Sequence, residues 1–269
     1  MQKTILVTGS TDGIGLETAQ MLLQQGHHVL LHGRNPAKLE ETEKTLSEST
    51  HDGRVESYLA DLSRMDDVAA LAEAVIAKHA TLDVLINNAG ILRTPSSITQ
   101  DGLDVRFVVN TIAPYLLTQR LLPLLGISGR VINLSSAAQS PVDPEALLGR
   151  VRLADDMTAY AQSKLAITMW SRSMARSLKG KGPAIIAINP GSLLATKMVK
   201  EGFGLAGKDI SIGVKILVRA ALSDEFKNAS GLYFDNDAGQ FAAPHSDALN
   251  PQKSAEIIRT IESILSRFT

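Results

Sequence analysis

The apolar run KTILVT at residues 3–8 breaks at once into TGSTDGIG, and a helical pattern, IGLETAQMLLQQ, starts at residue 14. Glycines 9, 13 and 15 stand as G-x-x-x-G-x-G between that strand and that helix. Such a junction meets three needs: a tight turn, a backbone close enough to touch a pyrophosphate, and a helix N-terminus whose free N–H groups face negative charge. A glycine-rich βα turn with no ligand is the bland alternative. Its placement after the first strand and at a helix start favours dinucleotide binding. The contacting stretch is then Gly9, Ser10, Thr11, Asp12, Gly13, Ile14 and Gly15.

The same alternation continues along the chain. Strand candidates lie at 3–8, 28–32, 54–60, 82–87, 129–134, 184–189 and 231–234, with helical periodicity at 14–25, 36–48, 64–79, 102–124 and 157–179. Strands joined by helical crossovers imply an α/β, doubly wound, parallel sheet with helices on both faces. Asn35 and Pro36 make an N-cap and first-turn pair for the second helix. No repeat, low-complexity segment or Pro/Ser-rich linker divides the chain, so residues 1–269 are expected to form a single dinucleotide-binding and catalytic domain.

Composition excludes several classes. Lys and Arg number 27 against 28 Asp and Glu, a net charge of −1 that gives no reason to expect a nucleic-acid or membrane partner. There are no cysteines, which removes disulfides and thiol catalysis. No apolar run reaches bilayer length, and MQKTILVTGS lacks signal-peptide architecture, so a cytoplasmic protein is expected. His27, His28 and His32 flank one strand with no carboxylate or thiol pattern, so no metal site is expected.

One further stretch carries chemistry. In TAYAQSKLA, residues 158–166, Tyr160 and Lys164 stand four residues apart, so both leave the same helix face. Alone, that pair is an ordinary amphipathic face. Together with TG-x-x-x-G-x-G, however, Y-x-x-x-K resembles the short-chain dehydrogenase/reductase family. Other motifs agree in order: Asn87-Asn88-Ala89-Gly90 after the fourth strand, Asn110 in the next helix, Ser135-Ser136 after the fifth strand, and Asn189-Pro190-Gly191 after the sixth.

The resemblance covers essentially the whole chain and implies a seven-stranded Rossmann-type fold using a nicotinamide cofactor. It also implies a catalytic tetrad of Asn110, Ser136, Tyr160 and Lys164. Further cofactor contacts carried over are Asp61 and Leu62 at the adenine, Asn88, Ala89 and Gly90 after the fourth strand, and Pro190, Gly191 and Thr196 after the sixth.

The chemistry of these residue types fits. Carbonyl reduction needs a hydride at carbon and a proton at oxygen. A phenol with a pKa of about 10 is expected to be lowered by an ammonium one turn away and by the oxidised nicotinamide. Pro114, four residues after Asn110, lacks the N–H that would bond the carbonyl of residue 110. The resemblance assigns that position a proton-relay water leading to Lys164.

Two departures stand out. Ser136 and Tyr160 are 24 residues apart, about twice the usual family gap, and this expansion with the tail after 234 resembles the retinol-dehydrogenase-like branch. In PGSLLAT, Thr196 comes one residue later than the family's P-G-x-x-x-T. The expanded 137–157 segment and the glycine-bearing 192–208 segment are expected to cover the substrate site, and 235–269 to form a tail with a helix. Neither cover carries an arginine cluster, which points to an uncharged or apolar aldehyde or ketone.

Cofactor choice is read after the second strand, in LLHGRNPAK. Gly33 stands where an acid would accept the ribose 2′-hydroxyl of NAD(H), and Arg34 with Asn35 follows, so NADP(H) is expected. Loss of Arg34 is expected to erase most of that preference, an aspartate at 33 to go further, and the two changes together to invert it. The leading reading is an NADP(H)-dependent carbonyl/alcohol oxidoreductase. The alternatives are an NAD-dependent alcohol dehydrogenase, a nucleotide-sensing regulator on the same fold, and a nucleotide-sugar epimerase, which would want a larger C-terminal domain. The helix from Tyr160 is apolar nearly all round, so either a second subunit (a homodimer or homotetramer) or the tail must cover it.

Overall fold

The strands place their apolar residues on two faces, and each face has its own core. In β1 (Thr4–Val7) Ile5 and Val7 enter one cluster and Leu6 the other, because successive side chains of a strand point to opposite sides. The computed structural model describes residues 1–50 and 52–268. In chain order, α1 (Gly13–Gln24), β2 (His28–Gly33), α2 (Pro36–Ser49), β3 (Arg54–Leu59), α3 (Met65–Lys78) and β4 (Val84–Asn87) form the first half. Then come α4 (Val105–Phe107), α5 (Ala113–Leu125), β5 (Arg130–Leu134), α6 (Pro144–Leu147), α7 (Asp156–Ser177) and β6 (Ala184–Asn189). The chain closes with α8 (Lys197–Phe203), α9 (Ser211–Leu222), β7 (Tyr233–Asp235), β8 (Gln240–Ala242), α10 (Ser246–Leu249) and α11 (Pro251–Leu265).

The sheet runs β3-β2-β1-β4-β5-β6-β7-β8. Every pairing is parallel except β7 with β8, so the expected seven-stranded parallel sheet carries one antiparallel strand more. That strand is three residues, too short to show a period, and it lies in a tail read as helical. It forms because the turn before it takes Gly239 at φ 69 and because Phe241 meets the ring of Phe234 edge-on at 5.1 Å. Strand order reverses between β1 and β4, and a crevice opens beyond their carboxyl ends.

Helix α7 is covered by the tail. Ile257, Ile261 and Ile264 of α11 are buried in the same cluster as Trp170, and the Tyr115 hydroxyl donates to Glu262 at 2.9 Å. The expanded 137–157 segment also joins this core, through Ala146 and Leu147 of α6. The first turn of α7 is held by Arg106, buried between Asp104 at 2.6 Å and Asp156. Among the described residues no helix is long and apolar enough to cross a membrane.

Candidate active site

The crevice at the β1–β4 reversal is a cleft of about 520 Å³. Of the glycine-loop residues, Gly9, Thr11, Asp12, Gly13 and Ile14 line it, and Arg34, Asn35, Asp61, Leu62, Asn88, Ala89 and Gly90 continue the wall. Tyr160, Lys164, Pro190 and Thr196 complete it from the other half of the sheet. Residues separated by more than a hundred positions thus meet on one surface.

Three expected contacts do not line the cleft. Ser10 is fully buried, its hydroxyl taking the His32 N–H at 2.8 Å, so its role is to fasten the loop to β2. Gly15 lies beneath the loop, where a Cβ would stand 2.3 Å from the Gly9 carbonyl oxygen and 2.4 Å from Asn88 Nδ2. Gly191, at φ 121, faces Leu194 and Ile212 instead. Asn88 itself holds the loop, donating from Nδ2 to the carbonyls of Thr8 at 2.8 Å and Gly9 at 3.1 Å.

The tetrad residues gather behind and beside the cleft. Ser136 favours the charged form of the Tyr160 phenol, and Lys164 Nζ sits 5.6 Å from the Tyr160 ring centre. That ammonium donates to the Leu134 carbonyl at 2.7 Å. Asn110 and Ser136 do not line the cleft themselves. Pro114 does not simply kink its helix: residues 108–112 form a π turn in which the Ala113 N–H bonds the Val108 carbonyl. Within it, the Asn110 carboxamide takes the Ile91 N–H at 2.8 Å and donates to the Ile91 carbonyl and the Ser163 hydroxyl, both at 2.9 Å. A Cβ at Gly90 would stand 3.4 Å from both Asn110 Oδ1 and Lys164 Nζ, so these two groups flank the backbone there.

Electrostatics differ from the expectation of a lowered phenol. Burial raises the Tyr160 pKa, and the Ser136 hydrogen bond only partly opposes it. Burial also pulls the Lys164 ammonium down to about 8. Desolvation penalises both charged forms here.

Thr196 reaches the cleft despite its one-residue offset. Within PGSLLAT, Leu193 takes φ 57 in the left-handed region, and Thr196 caps α8.

Two residues escaped the sequence reading. Lys38 lines the cleft one turn past Arg34 and pairs with Asp12 at 2.7 Å, while Asp12 caps α1 through the Gly13 N–H at 2.8 Å. The signal was a cation on the first turn of α2, hidden among that helix's other surface charges. The second is His32, a polar residue after the apolar run Val29–Leu31 of β2. Its Nδ1 accepts the Gly9 N–H at 3.0 Å, which fixes the tautomer with Nε2–H donating to the Ala60 carbonyl at 3.1 Å.

Burial holds the His32 pKa down at about 4, against 6.5 when unperturbed. The unfolded chain therefore binds this proton first, and the stability held by neutral His32 is lost as pH falls from 6.5 to about 4. Urea midpoints measured across that window should fall more steeply for the wild type than for His32→Asn, which keeps an acceptor for Gly9. Parallel curves would show that another group titrates.

The sequence model of the short chain dehydrogenases matches residues 3–203. Retinol dehydrogenase 13 of Mus musculus is 32% identical over 263 residues, spanning 91% of this chain and 79% of that protein. A solved structure of an uncharacterized protein from Mycobacterium Paratuberculosis is similar with a TM-score of 0.80 at 27% identity, covering 97% of this chain and 92% of that one. A short chain dehydrogenase from Burkholderia cenocepacia J2315 in complex with NADP is similar with a TM-score of 0.71 at 25% identity, covering 87% of this chain and 95% of that one. This chain therefore belongs to the short-chain dehydrogenase/reductase family, on its retinol-dehydrogenase-like branch, and is an oxidoreductase.

Proposed function

We propose that this protein interconverts an uncharged, apolar aldehyde or ketone and its alcohol with NADP(H). The observation that carries the reading is that the Tyr160 phenol, with Lys164 beside its ring, lines the same cleft as the glycine loop. The cofactor, when bound, supplies or accepts the hydride. The pyrophosphate end fits backbone N–H groups at the start of α1, where Gly9 lets the loop close on Ala89: a Cβ there would stand 2.9 Å from Ala89 Cα.

Tyr160 is the group that gives the carbonyl oxygen its proton, or takes it from the alcohol, and Ser136 orients that oxygen. Lys164, already donating to Leu134, would hold the nicotinamide ribose and favour phenolate once charge develops. Asn110 shapes the wall through Ile91, and its main-chain carbonyl, which Pro114 has no N–H to bond, is the one offered to a relay water. Ile91, Val109 and Met198 line the cleft and supply an apolar surface for the substrate.

The preference for NADP(H) rests on Gly33, Arg34 and Lys38, which stand together at the far end of the cleft. Arg34→Ala should lower the ratio of kcat/KM for NADPH over NADH by about tenfold or more, since a charge-assisted hydrogen bond is worth roughly 1.5–3 kcal/mol. An unchanged ratio would leave Arg34 an ordinary surface residue.

The aspartate swap needs revision. A Cβ at Gly33 would lie 2.6 Å from Thr11 Cγ2, so Gly33→Asp alone displaces the loop that must hold the pyrophosphate. Gly33→Asp with Thr11→Ser, which removes that methyl, should favour NADH where the single change weakens both cofactors. Equal behaviour of the single and double variants would contradict this steric account.

A further inference from the structure

The segment from Pro190 to Lys208 enters and leaves the cleft's rim through a narrow stem. Lys208 donates its N–H to the Leu193 carbonyl at 2.7 Å and accepts the Ala195 N–H at 2.7 Å. Gly207 allows this approach, since a Cβ there would stand 2.6 Å from both Ala195 N and Cα. Beyond the stem the segment is mostly exposed: Leu193, Phe203 and Leu205 face solvent, and only Leu194 and Val199 are buried. Two buried side chains are a small anchor for a segment that must hold Thr196 and α8 in register.

A carboxylate from elsewhere adds the missing restraint. Asp237, in the turn between β7 and β8, accepts the Ser192 N–H at 2.9 Å, the Ser192 hydroxyl, and Asn189 Nδ2 at 2.9 Å. Lys208 Nζ lies 4.0 Å from the same carboxylate. One side chain therefore touches both arms of the stem and the end of β6. Its neighbour Asn236 donates from Nδ2 to the Pro190 carbonyl at 2.9 Å. Between these ties sits Leu193 at φ 57, a conformation that strains a side-chain-bearing residue and persists only where surroundings over-determine it.

We propose that Asp237 is a positioning residue that clamps the stem of the 192–208 segment and so sets how Thr196 and α8 sit over the cleft. The coupling to cofactor rests on the function proposed above; the clamp itself does not. Asp237 lies in an exposed hairpin turn outside both cores, so its substitution leaves the buried clusters intact.

The test compares wild type with Asp237→Asn and Ser192→Ala. Backbone amide exchange at Ala195 and Lys208 should quicken about tenfold in Asp237→Asn, while Ile186 and Ile188 in β6 stay as protected as before. Equilibrium binding of NADPH, followed by its fluorescence, should weaken by about tenfold, with kcat at saturating cofactor within about twofold. Ser192→Ala, which spares the charge, should move both readouts in the same direction by less. Unchanged exchange at Ala195 and Lys208 overturns the clamp. Faster exchange with unaltered NADPH binding overturns its control of the cleft. Should the wild type bind neither nicotinamide cofactor, the exchange contrast still upholds the clamp, and the proposed function fails instead.

Discussion

Tyr160→Phe is expected to cut turnover by about 10²–10⁴-fold while leaving cofactor affinity within about twofold. The phenylalanine keeps the ring that Lys164 approaches and removes only the hydroxyl that meets Ser136. No other group on the cleft wall replaces it well. Lys164 Nζ is committed to the Leu134 carbonyl, and the Asn110 carboxamide is committed to Ile91 and Ser163. Ser136, left alone, is a poor acid. Because Tyr160 is buried enough to raise its pKa, its proton is held at neutral pH and released to the substrate oxygen only as negative charge develops there. Single-turnover rates at saturating cofactor isolate this step from binding. Near-wild-type rates would remove Tyr160 from the chemistry.

The second large effect is expected at a residue that touches no ligand. Gly15→Ala should weaken nicotinamide binding by about 10²-fold or more, because small misplacements of positioning groups carry losses of that order. The added methyl would meet the Gly9 carbonyl oxygen at 2.3 Å and Asn88 Nδ2 at 2.4 Å, and Asn88 fastens the loop through Thr8 and Gly9. Neither neighbour can yield without moving the loop backbone. Overpacking of this kind also lowers stability by about 1–3 kcal/mol. Gly13→Ala is the control: its Cβ meets nothing closer than Thr196 Cγ2 at 3.7 Å, and its cost is confined to the strain of φ 54. Fluorescence titration with NADPH should rank wild type, Gly13→Ala and Gly15→Ala in falling affinity. The reverse order of the two variants would contradict the packing argument.

Much of this was legible because the motifs sit where periodicity changes. TGSTDGIG marks a strand-to-helix junction, and the Tyr160–Lys164 spacing survives in α7 as read. What stayed hidden depends on partners distant in sequence. His32 looks like a strand residue until Gly9, 23 positions away, is found donating to it. Asp237 looks like a turn residue until Ser192 and Asn189 are found on it, 45 and 48 positions away. β8 is three residues long and exists only because β7 offers an edge. For a related reason, spacing reveals the charge of Lys164 beside Tyr160, while the desolvation that raises the phenol's pKa depends on the whole wall around it.

The most direct measurement is the loss of reduced-nicotinamide absorbance when the protein is mixed with apolar aldehydes and ketones, NADPH and NADH run in parallel. The account predicts that at least one carbonyl compound consumes NADPH with equimolar alcohol formed, that NADH is consumed more slowly, and that Tyr160→Phe abolishes both signals. Tight NADPH binding with no consumption across the panel, or consumption that Tyr160→Phe leaves intact, would contradict it.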